Sequence, residues 1–169
     1  MRVTERARIT QERLHEVLHY DPETGEFRWR VRLSSACQIG GVAGSLHHLY
    51  WFIYVDGRAY PAHQLAWLYM TGEWGKPIID HRDRNPLNNR WDNLRLATFS
   101  NNSANRRRHR NNKSGFKGVW FHAPTGKWRA RIRKDKKSHW LGHFDTPEEA
   151  HAAYATKARE LHGEFARTE

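Results

Sequence analysis

A chain of 169 residues has room for one medium domain or two small ones, and 29 Lys and Arg against 18 Asp and Glu leave a formal net charge of +11. That balance is too lopsided for a soluble enzyme acting on neutral metabolites and points to a polyanionic partner. The sole cysteine, Cys37, rules out an internal disulfide or a cysteine-based zinc site, and no apolar run approaches the roughly 18 residues that a transmembrane helix needs.

Taken in chain order, Ile9, Leu14, Val17 and Leu18 stand at roughly helical spacing and predict a short amphipathic helix within residues 5 to 18, stopped by the turn residues Tyr20 to Gly25. Phe27, Trp29 and Val31 alternate with charged residues, and Leu49, Trp51, Ile53 and Val55 do the same before Asp56-Gly57, a two-residue hairpin signal, so a small antiparallel sheet is expected. Ala62 to Met70 is an apolar, helical stretch, and Ile78-Ile79 is a short strand that leads into an asparagine-rich segment.

The positive charge is local. Residues 106 to 140 carry 13 Lys or Arg and one acid, Asp135, a net of +12. A basic membrane-surface helix is disfavoured there by Gly115, Gly118, Pro124 and Gly126, which break helices. Residues 106 to 114 concentrate like charge with almost no apolar content, as a linker does. Val119 to Phe121, Trp128 to Ile132 and Trp140 to Phe144 then predict three strands. Thr146 as N-cap, Pro147 at the first helical position and Glu148 and Glu149 in the first turn start a helix that runs to about Leu161, with Gly163 as its stop. Its buried face is expected to be Ala150, Ala153, Tyr154, Ala158 and Leu161.

The segment from Ile79 to Arg95, followed by Asn101, Asn102 and Asn105, carries the chemistry. Cleaving a phosphodiester needs a deprotonated water and charge stabilisation at the leaving oxygen, which an imidazole beside a hard divalent cation supplies. Asp80 and His81 are adjacent at a strand end, and neighbouring strand side chains face opposite ways, so one is able to hold metal while the other reaches toward water. Asn85, Asn88 and Asn89 read as Asx-turns and caps, and His63 as a packed core histidine.

These residues resemble the HNH endonucleases of the phage intron-homing type over about residues 12 to 105. The resemblance implies a site in which a hairpin and a helix grip one metal ion, the ββα-metal arrangement. It implies Asp80 as metal ligand, His81 as general base, Asn93 as the residue that fixes the histidine's tautomer and orientation, and Asn102 as the second metal ligand. Eleven residues separate His81 from Asn93 and eight separate Asn93 from Asn102, which suits the family's pattern. Asn105 and Asn101 stay open as alternatives to Asn102. Two oxygen ligands favour Mg²⁺ or Mn²⁺, one per site, over Zn²⁺.

In the basic region, strand alternation puts Arg129, Arg131 and Arg133 on one face and Ala130 and Ile132 on the other, where the Ala-rich helix covers them. A twisted sheet of that width enters a major groove, where guanidinium forks reach guanine edges and the remaining cations, with Arg106, Arg107 and Arg108 of the linker, meet phosphates. Gly115 to Trp120, Gly126 to Arg133, Trp140 to Phe144 and Thr146 to Ala150 resemble the DNA-binding domain of plant ethylene-response factors, over roughly residues 114 to 166. That resemblance implies DNA contacts at Lys117, Trp120, Arg131, Arg133 and Trp140. Trp120 and Arg131 depart from the residues usual at those places, so the family's base preference does not carry over. Trp128 reads as core.

The sequence therefore predicts an α+β protein. A nuclease domain occupies residues 1 to 105, with its motif core at 60 to 105, a basic linker spans 106 to 113, and a three-stranded antiparallel sheet packed on one helix fills 114 to 169. The expected activity is metal-dependent, sequence-directed cleavage of double-stranded DNA by a homing or phage-type enzyme in the cytoplasm of a bacterial or phage-infected cell, with no membrane partner. One centre per chain points to a monomer that nicks, and a dimer would permit double-strand breaks. The rival is a DNA-binding regulator whose nuclease centre is silent.

Overall fold

The computed structural model describes residues 8 to 168 apart from Pro77 and Arg107. Arg107, expected among the phosphate contacts, thus lies outside the described residues. The chain is mixed α+β and divides between Leu96 and Ala97 into two compact units.

The first unit opens with helix α1, Gln11–Val17, whose Thr10 N-cap accepts from the Arg13 N–H, a bond that satisfies an otherwise unpaired donor of the first turn. The expected helix is shorter at its C-terminal end, because Leu18–Tyr20 turns into strand β1 and pairs antiparallel with β2, Phe27–Trp29. Tertiary pairing overrides the helical spacing of Leu18. A second sheet has the order β3, Ser45–His47; β4, Tyr50–Val55; β5, Arg58–Pro61. Asp56 and Gly57 form its β4–β5 turn at φ of 49° and 79°, the left-handed pair that a two-residue hairpin demands. Strand β3 was not legible in the sequence, since all three of its residues are exposed.

Helix α2, Ala62–Thr71, follows and stops at Gly72 in the left-handed conformation. Its Ala62, Leu65, Ala66 and Leu68 join Leu14, Val17, Leu18, Tyr20, Phe27, Ile53 and Val55 in one core. Against that core lies a two-stranded ladder of β6, Ile78–His81, and β7, Leu94–Ala97, joined by the asparagine-rich loop.

The second unit begins around helix α3, Phe99–Asn105, capped by Thr98. After irregular backbone come β8, Val119–His122; β9, Lys127–Lys134; and β10, Lys137–Phe144, in the antiparallel order β10-β9-β8. Strands β9 and β10 run to a tight turn at Asp135 and Lys136, both in the left-handed region. Helix α4, Pro147–His162, has a full capping box between Thr146 and Glu149. It buries Ala150, Tyr154, Ala155, Ala158 and His162. Ala153 and Leu161, expected on that face, are half-buried. Among the described residues no helix is long and apolar enough to cross a membrane.

Candidate active site and nucleic-acid interface

Strand β6 delivers Asp80 and His81 side by side into the protein, each 7% exposed. A buried carboxylate needs a cationic partner, and Arg95 on β7 provides it: Nε and Nη2 both donate to Asp80 Oδ2, at 3.0 and 2.9 Å. Arg95 is equally buried. It was missed in the sequence, although a strand paired to β6 is where a partner for a buried Asp80 has to be sought.

The His81 imidazole has Nε2 at 3.3 Å from Asn89 Oδ1, so with the amide oriented this way Nε2 carries the proton and donates. Burial pushes the His81 pKa below its ordinary 6.5, against the opposing pull of Asn89, Asp83 and Asp80. The ring is therefore neutral at neutral pH, the form a base requires. His63 on α2 packs its ring edge-on against His81, with centroids 5.1 Å apart. Its own pKa is pushed down to about 3 by burial and by His81. His63 is thus a packed histidine, as expected, but one that touches the candidate base.

Asn93 organises the loop between the strands. Its Oδ1 accepts from the Asp83 N–H at 3.0 Å, and its Nδ2 donates to Asp83 Oδ1 at 2.9 Å and to the Asn88 carbonyl at 2.8 Å. The Asn88 amide reaches Asp83 Oδ2 at 2.7 Å, and the Asn85 N–H reaches Asp83 Oδ1 at 2.8 Å. Burial works against the Asp83 charge, but these bonds outweigh it and hold its pKa below the usual carboxylate value. Asn85 and Asn88 also accept from the N–H two residues on, in Leu87 and Arg90, as Asx-turns do. Asn89 is different, since its side-chain oxygen holds the His81 ring. Its backbone is fixed in turn: Tyr20 Oη donates to the Asn89 carbonyl at 2.7 Å. Gly25, at φ +77°, lies so close that an added Cβ would stand 2.5 Å from Asn89 C and Arg90 N.

Asn102, half-buried on α3, belongs to the second unit, where its N–H donates to the Thr98 carbonyl. Asn101 is half-buried and Asn105 is buried. Asp80 supplies a hard carboxylate oxygen of the kind that Mg²⁺ and Mn²⁺ take, and among the described residues no three His, Cys, Asp or Glu gather into a cage.

On the sheet of the second unit, Ala130 and Ile132 are buried and Arg131 and Arg133 exposed, as strand alternation requires. Cross-strand register sets Arg129 opposite Trp120 and His143, and Arg131 opposite Trp140. Arg131 lies over the Trp120 ring and Arg129 over the Trp140 ring, each 5.5 Å from the centroid, and Arg129 Nε donates to His143 Nε2 at 2.8 Å. Trp120 and Trp140 remain 36% and 50% exposed. The result is an open plane of guanidinium and indole groups. Trp128 packs instead with the core of Val119, Ala130 and Ala150. Arg106 and Arg108 are exposed in irregular backbone. Lys117, expected to touch DNA, has its Nζ on the carbonyls of Ala104 and Arg106.

Residues 60–104 match the HNH endonuclease family, and residues 114–164 match the AP2 domain. Protein 3.8 of Escherichia phage T7 is 43% identical over 89 residues, which cover 53% of this chain and 73% of that protein. An HNH endonuclease of Acanthamoeba polyphaga mimivirus is 38% identical over 88 residues, 52% of this chain and 44% of the relative. An ethylene-responsive transcription factor of Arabidopsis thaliana is 50% identical over 56 residues, 32% of this chain and 22% of the factor. This chain spans less than half of the mimivirus and plant relatives. No solved structure matches it.

Proposed function

We propose that this chain, which belongs to the HNH endonucleases and carries an AP2 domain behind its nuclease domain, is a sequence-directed enzyme of the homing or phage type that nicks double-stranded DNA. The observation that carries the reading is the buried Asp80-His81 pair, with His81 held neutral and its Nε2 bonded to Asn89. With that bond made, the basic lone pair lies on Nδ1, and His81 takes a proton there from the attacking water. Asn93 keeps the loop that frames His81 in one conformation through Asp83 and Asn88. Asp80 and the amide oxygen of Asn102 are the residues that would hold the cation in a ββα-metal arrangement. A bound Mg²⁺ or Mn²⁺ would supply charge stabilisation at the leaving oxygen. Arg95 keeps Asp80 in one orientation and offsets its charge.

Targeting falls to the sheet. Arg129, Arg131 and Arg133 with Trp120 and Trp140 dock on duplex DNA, Arg106 and Arg108 add phosphate contacts, and one copy of the chain serves one nicked strand. By function, then, the nuclease domain runs to residue 105 and the reading domain starts near 114. The test is incubation of the full chain with supercoiled plasmid and Mg²⁺, with EDTA and His81→Ala as controls. Nicked circles that vanish in both controls are expected. Plasmid left supercoiled with Mg²⁺ or Mn²⁺, together with retained DNA binding, would make the chain a regulator instead.

A further inference from the structure

Strand β10 breaks the alternation that a regular strand imposes, and the break brings two rings to one guanidinium. Trp140 and His143 are three residues apart, a separation that sends side chains of a regular strand to opposite faces. The register shifts between them: Trp140 stands opposite Arg131, Gly142 opposite Ala130 and His143 opposite Arg129, with Leu141 left out of the ladder. One extra residue of this kind re-aims the side chains that follow it. Gly142 takes the bend at φ +125°, a conformation that residues with a side chain rarely adopt. Arg129 and Arg131 share a face, so Trp140 and His143 share it too.

Both rings hold Arg129. Its guanidinium lies over Trp140, 5.5 Å from the ring centroid, and its Nε donates to His143 Nε2 at 2.8 Å. The His143 ring stands edge-on to Trp140, with centroids 5.2 Å apart. An accepting Nε2 means that His143 is neutral, with its proton on Nδ1. That bond uses the single Nε–H of Arg129, and among the described residues Nη1 and Nη2 have no hydrogen-bond or ion-pair partner. Two free Nη groups side by side form the fork that meets the O6 and N7 acceptors of guanine. A fork already fixed in direction loses less rotamer freedom on binding than a loose one. Arg131 lies over Trp120 in the same way, but among the described residues no side chain accepts from it.

We infer that His143 is a positioning residue for sequence reading, which holds Arg129 as a preset fork for one guanine of the target. The inference rests on the reading that this sheet docks on duplex DNA, and it adds a residue and a base to it. Because His143 acts through Arg129, it has no effect of its own once Arg129 is gone, whereas a histidine that itself touches DNA keeps its effect.

The experiment uses the full chain, in EDTA so that no strand is cut, and a duplex recovered from a random pool by its affinity for that chain. Kd is measured for this duplex, for random duplex, and for copies of the selected duplex in which each guanine in turn is replaced by 7-deazaguanine, which lacks N7. Arg129→Ala is expected to weaken binding of the selected duplex by about 5- to 150-fold, the worth of a bidentate base contact, and of random duplex far less. His143 is exposed, so its truncation leaves the core in place. His143→Ala should weaken the selected duplex by about 3- to 10-fold, the worth of one hydrogen bond, with random duplex within about twofold of wild type. His143→Gln, whose amide oxygen accepts from Nε, should recover most of that loss. Adding His143→Ala to Arg129→Ala should change nothing further. At one position 7-deazaguanine should weaken the wild type and leave Arg129→Ala unaffected. A second loss in the double variant, no recovery with His143→Gln, or wild-type affinity of Arg129→Ala while Arg131→Ala loses affinity would overturn the inference and leave the sheet's reading of DNA standing. A pool that yields no preferred duplex, or wild-type affinity of Arg129→Ala and Arg131→Ala both alone and together, would overturn that reading and this inference with it.

Discussion

At the end of β6 the chain buries a polar cluster: Asp80, His81, Asn89, Asn93 and Arg95 are each 7% exposed or less and bonded to neighbours. The outer face of β8 to β10 does the reverse, leaving Arg131 and Arg133 in water and Trp120 and Trp140 a third to a half exposed. A buried polar network is sensitive to each member, because removing one leaves its partner desolvated and unpaired. An exposed cationic face works by addition and is screened by salt. Point changes in the first region should therefore act on rate, and those in the second on affinity and its salt dependence.

The largest expected effect is that of His81→Ala, which should lower single-turnover nicking by about 10² to 10⁴. Fluorescence anisotropy should show duplex affinity nearly unchanged. A parallel loss of affinity would erase the division between the two regions. Asn89→Ala should cost about 10- to 100-fold in rate, the usual effect of removing a group that orients an active-site histidine. It removes a bond to the ring rather than the ring, so the pH profile should change as well. In the wild type the acid limb of the rate should lie below pH 6.5, because burial lowers the His81 pKa and only the neutral ring accepts a proton.

On the exposed side, Arg131→Ala or Arg133→Ala should each cost about 1 to 3 kcal/mol on a cognate duplex and far less on random DNA. Equal losses on both would assign these residues to phosphate contacts. Arg108→Ala should move the slope of log K against log salt by about 0.9 if it meets one phosphate, with rate at saturation unaltered. His63 sharpens the contrast from the stability side. Its folded pKa of about 3 lies below the unfolded 6.5, so between these values the unfolded chain binds a proton that the native one refuses. Stability should fall as pH drops from 6.5, by about 2 kcal/mol at pH 5. In denaturant titrations His63→Gln should flatten that dependence, and an unaltered slope would mean that His63 is better solvated than its packing implies.

Much of both regions was legible because local rules were enough. The Asp56-Gly57 turn, the Thr146 capping box and the alternation of Arg131 and Arg133 with Ala130 and Ile132 depend on residues close in sequence, and each is present. Asn85 and Asn88 likewise form the Asx-turns their residue type favours. What was missed depends on partners far apart in the chain or on where burial falls. Leu18 leaves its helix to pair with Trp29, Arg95 finds Asp80 across a ladder, and Lys117 reaches back to Ala104.

By itself the sequence determined the residue types able to do the chemistry, the sign and place of the charge, and the elements whose hydrogen bonds close within a few residues. Only the tertiary structure decided which asparagine holds the His81 ring. Asn85, Asn88, Asn89 and Asn93 are chemically the same, and Asn89 differs because Tyr20 and the turn at Gly25 press its backbone into place beneath the histidine.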